Sequence, residues 1–237
     1  MSTLLTQVGD DLFHGAGTAS SWFVVRDGRD LTLVDSGYPG DYPRLQASIE
    51  SIGHQLGDVR GVLLTHGHID HFGGVNRLWR EHRVPTYLHR LELLNAKAAT
   101  RQQASPRDVL VRAWRPRVAS WAVRIIRAGA LQKDDLEHVV PFDDTTPLDL
   151  PGRPVPVLSP GHTSGHTGYS FPDRGALATG DAVVTGHPLE DRTGPHLIPD
   201  FFTHDLPGAR RSLDVLAAVV AETLLPGHGP VWRGPWA

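Results

Sequence analysis

Six residues, His66-Gly-His68-Ile-Asp70-His71, set three imidazoles and a carboxylate directly behind the apolar run Gly61-Val-Leu-Leu-Thr65. In an extended segment alternate side chains share a face, so His66 and His68 can address one metal ion. Asp70 and His71 follow where the chain turns into Phe72 to Arg83, a stretch with the Gly-Gly punctuation and apolar spacing of a helix start. They lie near the first pair and point differently, which suits a second ion. Imidazole with carboxylate is a ligand mix for zinc, and equally for iron, manganese or cobalt.

Three later segments repeat the arrangement of apolar strand, turn and metal-binding side chain. Ser159-Pro-Gly-His162-Thr-Ser-Gly-His166 follows the strand-like Val155 to Leu158, Asp181 ends the run Ala176-Leu-Ala-Thr-Gly, and His228 follows Glu222-Thr-Leu-Leu-Pro-Gly. A packed scaffold that delivers such residues from several strand ends to one edge lets ligands distant in sequence converge.

Together, Thr65-His-x-His-x-Asp-His71, Pro160-Gly-His162-Thr-x-Gly-His166, Gly180-Asp181 and Pro226-Gly-His228-Gly resemble the metallo-β-lactamase superfamily, and Leu33-Val-Asp35-Ser-Gly37 resembles its N-terminal strand and turn. The match spans nearly the whole chain, in the family's order. The resemblance implies an α/β fold: an αββα sandwich of two mixed β-sheets flanked by helices. It implies that His66, His68 and His162 hold one metal, that Asp70, His71 and His228 hold a second, and that Asp181 bridges them. His166 and Asp35 are expected to support ligands rather than to bind metal. Two zinc ions are the expected cofactor, with iron or manganese as substitutes. Two divalent ions bring four positive charges against three from Asp70, Asp181 and a bridging hydroxide, so an anionic or carbonyl-bearing small molecule is the expected substrate.

Metal-lowered water pKa and a polarised carbonyl or phosphoryl oxygen give a reaction class. The expectation is a dinuclear-metal hydrolase that cleaves an ester, thioester, lactone or phosphoester bond by a metal-bound hydroxide, with Asp70 as proton acceptor. Family members that act as true β-lactamases generally place Cys or Ser where this chain has Asp181. Glyoxalase II-like thioesterases and acyl-homoserine-lactone lactonases share the bridging Asp. Only nine residues follow His228, so the helical domain that helps glyoxalase II hold glutathione is not expected here, and Val184 stands where a typical lactonase has a tyrosine. The alternative is an iron-dependent sulfur dioxygenase on the same fold, for which tightly held iron would be the mark.

At 237 residues and 40% hydrophobic content the chain can bury one substantial core, and a single domain over 1–237 is expected. A net charge of -3 gives no electrostatic footing for nucleic acid. The absence of cysteine excludes disulfides and thiolate ligands. The first residues lack a basic stretch followed by a long apolar one, and no 18-residue apolar run occurs, so no signal peptide or transmembrane helix is expected and a cytoplasmic location is the simplest reading.

The pattern predicts strands near 11–15, 20–27, 31–35, 61–65, 86–89, 155–159, 167–172, 175–180 and 222–225, with helices near 41–53, 72–82 and 207–220. No internal repeat is evident. Residues 90–137 read as a helical cap inserted between His71 and His162, with helical composition at 91–99 and 109–131. In the second stretch Arg112, Arg115, Arg117, Arg124 and Arg127 are expected to face solvent. Trp114, Trp121, Ile125 and Ile126 should pack on the body or join two chains in a homodimer. After Asp181, a Pro- and Gly-rich loop carries His187, Glu190, Asp191, Arg192, His196, Asp200, His204 and Asp205, some of which are expected to face the pocket.

Overall fold

The computed structural model describes residues 4–97, 102, 106–132, 135–143 and 145–236. A seven-stranded sheet runs in chain order: β1 (Leu5–Gly9), β2 (Leu12–Ala16), β3 (Ser21–Asp27), β4 (Asp30–Val34), β5 (Val59–Leu63), β6 (Thr86–His89) and β7 (Val140–Phe142). The first four strands form an antiparallel meander, and β4 through β7 are parallel. Parallel neighbours need crossovers. Helix α1 (Tyr42–Glu50) joins β4 to β5, while α2 (Ile69–Phe72) and α3 (Val75–His82) join β5 to β6.

The segment between β6 and β7 contains α4 (Leu93–Ala96), α5 (Pro106–Leu110) and α6 (Pro116–Arg127). The second sheet has β8 (Val155–Leu158), β9 (Thr167–Phe171), β10 (Ala176–Gly180), β13 (Thr223–Pro226) and β14 (Trp232–Arg233), in the order β14-β13-β10-β9-β8. Between β10 and β13 come the hairpin β11 (Val184–Gly186) and β12 (Thr193–His196), then α7 (Leu206–Ala217).

The layering follows from alternation along the strands. Successive side chains of a strand point to opposite faces. In β3, Trp22 and Val24 join a core with Leu45 and Ile49 of α1 and Leu78 of α3, whereas Phe23 and Val25 join Tyr169, Phe171 and Ala178 of the other sheet. In β10 and β13, Leu177 and Leu224 pack under Leu216 of α7, and Ala178 and Leu225 face the first sheet. Both faces of both sheets are therefore covered, which makes the fold an αββα sandwich.

The structure departs from the sequence pattern in several places. The strand expected to reach Thr65 ends at Leu63, so His66 and His68 leave from a bend rather than from an extended segment. There the Thr65 N–H is taken by the Asp35 carboxylate at 2.9 Å instead of by a neighbouring strand. The expected helix 72–82 breaks at Gly73, whose N–H donates to the Gly37 carbonyl. The stretch 109–131 forms two helices, because Pro116 holds Arg115 extended at φ -81, ψ 121.

Within 91–99, helix is described only as far as Ala96, and residues 98–101 lie outside the described residues, as do 103–105 within the cap. Strand β7 carries Pro141, which is tolerated because it stands at the sheet edge. No helix among the described residues is long and apolar enough to cross a membrane.

Candidate metal centre

Every strand that precedes a candidate ligand points its C-terminal end the same way. In one sheet β4 and β5 are parallel; in the other β10 and β13 are parallel, and β8 matches them because both β8 and β10 are antiparallel to β9. Asp35, His66, His162, Asp181 and His228 all follow these ends, so side chains up to 193 positions apart in sequence meet at one edge of the sandwich.

Three ring nitrogens, His66 Nε2, His68 Nδ1 and His162 Nε2, lie 3.0, 3.1 and 3.2 Å from one another. Three imidazoles aimed at a common point cannot all satisfy each other as donor and acceptor. The spacing is close to the ~3.3 Å separating nitrogens bound tetrahedrally at about 2.05 Å to one zinc ion. Beside them, Asp70 Oδ2 is 3.5 Å from His228 Nε2 and 3.7 Å from His71 Nε2. Asp181 stands between the groups. Its Oδ2 is 3.6 Å from His162 Nε2 and 3.2 Å from His228 Nε2, and its Oδ1 is 3.4 Å from His71 Nε2. His71 Nε2 and Asp181 Oδ1 are buried without a hydrogen-bond partner. Buried polar atoms are normally satisfied, so this pair calls for a cation.

The hydrogen bonds on the far side of each ring favour the same use. His71 Nδ1 donates to Asp35 Oδ2 at 2.8 Å, His228 Nδ1 to the Ala19 carbonyl at 2.7 Å, and His68 Nε2 to the Gln102 carbonyl at 2.8 Å. His66 Nδ1 donates to the Thr65 hydroxyl, which itself donates to Asp35 Oδ2. With the proton held there, the opposite nitrogen presents a lone pair to the centre. His166 does something else. Its Nε2 accepts the Asp181 backbone N–H at 3.1 Å and its Nδ1 meets Ser159 Oγ at 2.9 Å, so it fixes the turn that carries Asp181.

Charge completes the case for a cation. Burial, reinforced by neighbouring imidazoles, holds His66 well below the ordinary histidine value. Burial does the same at His162, against the pull of Asp181. Burial would also lower His71 and His228, but Asp181 leads a set of carboxylate interactions that outweigh it and raise both. Burial opposes the Asp181 charge, yet His228 and His71 keep its carboxyl well below the usual range. Burial thus favours the neutral imidazole at His66 and His162, while the charged Asp181 carboxylate favours positive charge at His71 and His228, which protons or a metal ion can supply.

Glu92 did not stand out in the sequence, where it sat in an apolar helical run. It is fully buried. Its Oε1 accepts from Gly67 N at 2.9 Å and Asn95 Nδ2 at 2.6 Å, and its Oε2 from Gly165 N at 2.9 Å, tying the His66-Gly-His68 bend to the His162 turn. The short segment around Glu92 approaches so closely that a Cβ on Gly165 would lie 2.3 Å from Glu92 N. Likewise, a Cβ on Gly227 would stand 2.2 Å from Asp181 Oδ1, so only glycine fits before His228.

A cavity of about 390 Å³ opens over the centre. Its floor includes His68, Asp70, His162, Asp181 and His228, and Tyr38, which the sequence did not single out, lines it too. Of the loop after Asp181, His187 reaches the cavity, its ring 5.1 Å from that of His228. His196 instead pairs with Glu190 at 2.7 Å, and Asp191 with Arg117. The roof comes from α5 and α6. Val118, Trp121, Ala122 and Ile125 form a helical stripe that packs with Leu189 and Phe202, while Arg115, Arg117, Arg124 and Arg127 are exposed. Of the four residues expected to pack on the body or to join two chains, Trp121 and Ile125 pack on the body, whereas Trp114 is exposed and Ile126 is half exposed at the edge of the cavity.

Comparison with known proteins agrees with the fold. The family model for the metallo-beta-lactamase superfamily matches residues 15–228, and the chain belongs to that superfamily. A probable metallo-hydrolase of Bacillus subtilis, YflN, is 28% identical over 84% of this chain and 75% of its own length. Metallo-beta-lactamase domain-containing protein 1 of Xenopus laevis is 27% identical over 95% of this chain and 76% of its own. Among solved structures, a metallo-β-lactamase of Cronobacter sakazakii superposes with a TM-score of 0.67 at 17% identity, covering 95% of this chain and 78% of that one. At that identity the likeness speaks for the fold alone.

Proposed function

We propose that this protein is a dinuclear, zinc-dependent hydrolase acting on an ester, thioester, lactone or phosphoester bond. The observation that carries the reading is Asp181, whose two carboxylate oxygens face His162 and His228 on one side and His71 on the other. His66, His68 and His162 would hold one ion; Asp70, His71 and His228 the other; Asp181 would touch both. Such a pair of ions, when bound, lowers the pKa of water toward neutrality and polarises the electrophilic oxygen of the substrate.

The chain's own residues supply the rest. Asp70 would take the proton released at the nucleophile, a role supported by its being more accessible than Asp181, with its side chain 16% exposed against 3%. Asp35 and Ala19 fix the rings of His71 and His228, so the ligands need no reorganisation. The apolar roof around Trp121 restricts water at the reacting centre.

Elemental analysis of the purified protein, paired with a panel of thioester, lactone, phosphodiester and β-lactam substrates before and after chelation, tests the reading. About two zinc per chain with chelator-sensitive hydrolysis is expected. One tightly held iron per chain and no hydrolysis would replace it with a sulfur dioxygenase.

A further inference from the structure

We infer that the substrate is an ester or thioester carrying an uncharged, apolar acyl chain of medium length, which lies in the chamber between the metal centre and α5–α6. The inference rests on the hydrolase reading of the site and narrows its substrate.

The chamber is built in two chemically distinct halves. All its charged and titratable lining, among the described residues, belongs to the floor: the centre itself with Tyr38 and His187 beside it. The opposite walls are Val109, Ala113, Trp121, Ala122, Ile125 and Ile198, and no lysine or arginine among the described residues lines the cavity. The arginines of α6 stand on its other side, in solvent. An anionic substrate body such as a peptide thiol with free carboxylates would find no cationic partner along these walls. An alkyl chain would bury its whole length there.

The mouth has the same character. Leu110, Ile126 and Leu131 line the cavity and are 71%, 50% and 70% exposed. Apolar side chains left in water at the rim of an apolar chamber gain by covering an incoming chain, which is the usual meaning of such clustered exposure. Size sets the length. A non-hydrogen atom with its hydrogens takes on the order of 30 Å³, about the share of one water in the liquid. The 390 Å³ chamber therefore holds roughly a dozen such atoms, or a reacting acyl group with about six to eight further carbons.

The reaction is a redox-neutral hydrolysis. Water adds to the acyl carbon, and the bond from that carbon to the ester oxygen or thioester sulfur breaks. One proton passes to the leaving alcohol or thiol, and the other is released as the acid ionises to carboxylate.

Two measurements test the assignment. In the first, 1-butanol, 1-hexanol and 1-octanol are titrated calorimetrically into chelator-treated protein; being neutral, they report on the chamber without metal or turnover. A buried methylene is worth up to about fourfold in affinity, so octanol should bind at least tenfold more tightly than butanol. In the second, kcat/KM is measured for p-nitrophenyl esters from acetate to decanoate with the metal-loaded enzyme. It should rise about two- to fourfold per methylene and level off near eight to ten carbons. Ala122→Trp, which fills the wall of α6, should lower the octanoate-to-acetate ratio at least tenfold.

Equal affinity for all three alcohols overturns the acyl chamber, and chelator-sensitive hydrolysis of the acetate ester would then leave the hydrolase reading standing. Length-dependent alcohol binding with no hydrolysis of any ester or thioester overturns the hydrolase reading and, with it, the substrate assignment. The alcohol series uses the unaltered chain, so its outcome does not depend on whether the Trp variant folds.

Discussion

Asp35 Oδ2 accepts a hydrogen bond from His71 Nδ1 at 2.8 Å and, at 2.9 Å, another from the Thr65 hydroxyl that in turn receives His66 Nδ1. One carboxylate thereby sets the ring orientation of a histidine in each half of the centre. Asp35 has φ +57, a backbone region that aspartate and asparagine tolerate better than most residues. Asp35→Asn should therefore keep the turn and weaken only the hydrogen bonds. Loss of an outer partner of this kind typically costs ten- to a hundredfold in metal affinity. Competition against a chelator should show weakened retention at both positions; unchanged affinity at both would exclude the shared role.

Asp181→Ala removes the group that faces both halves. Activity should fall to background and bound metal should drop below two ions per chain, measured by elemental analysis. Retained turnover with full metal content would refute its bridging role.

Glu92→Gln replaces one of two carboxylate oxygens with a donor facing a backbone N–H, either at Gly67 or at Gly165. A buried donor left unmatched costs about 1–3 kcal/mol, and more where the lost partner was charged. The urea midpoint should fall accordingly. Because Glu92 ties the two histidine turns together, the metal content of the variant should fall with it.

Metal loading should release protons. The Asp181 carboxylate, with other carboxylates, raises the folded-state pKa of His71 and His228 above the ordinary histidine value, so the protons these rings hold must leave when ions bind. Calorimetry in buffers of different ionisation enthalpy should detect net proton release on metal binding at pH 7. No dependence on the buffer would contradict the charge arrangement.

His187 gives a stability signature in acid. Burial, with a contribution from His228, lowers its pKa to about 3. The unfolded chain then binds the proton first as pH falls below 6.5, so stability present above that value is lost as pH drops toward the folded pKa. Each pH unit in this window costs up to about 1.4 kcal/mol. In chelator-treated protein, His187→Phe should cut the stability lost between pH 7 and 5 by about 2 kcal/mol, as urea melts would show. Equal losses in both proteins would mean that His187 is hydrated in the fold.

The compression of His66 to His71, and the repeated order of apolar strand, turn and ligand, made the family and the candidate ligands legible in the chain itself. That information is local: ligand chemistry and strand periodicity are properties of short segments. What the pattern could not carry were contacts made across the fold. Glu92 reads as one polar residue in a helical run, and its partner Gly165 is 73 positions away. Tyr38 looks like an ordinary turn residue until packing brings it to the cavity, and nothing in the chain separates His187 from the seven other polar residues of its loop. The stripe Val118, Trp121, Ala122 and Ile125 announced an amphipathic helix, but its period could not say that the apolar side roofs the centre while Trp114 stays in water. Residue chemistry and spacing specify which side chains are available to bind metal. Their orientation and surroundings arise only when two sheets close over one core, an arrangement that no single segment encodes.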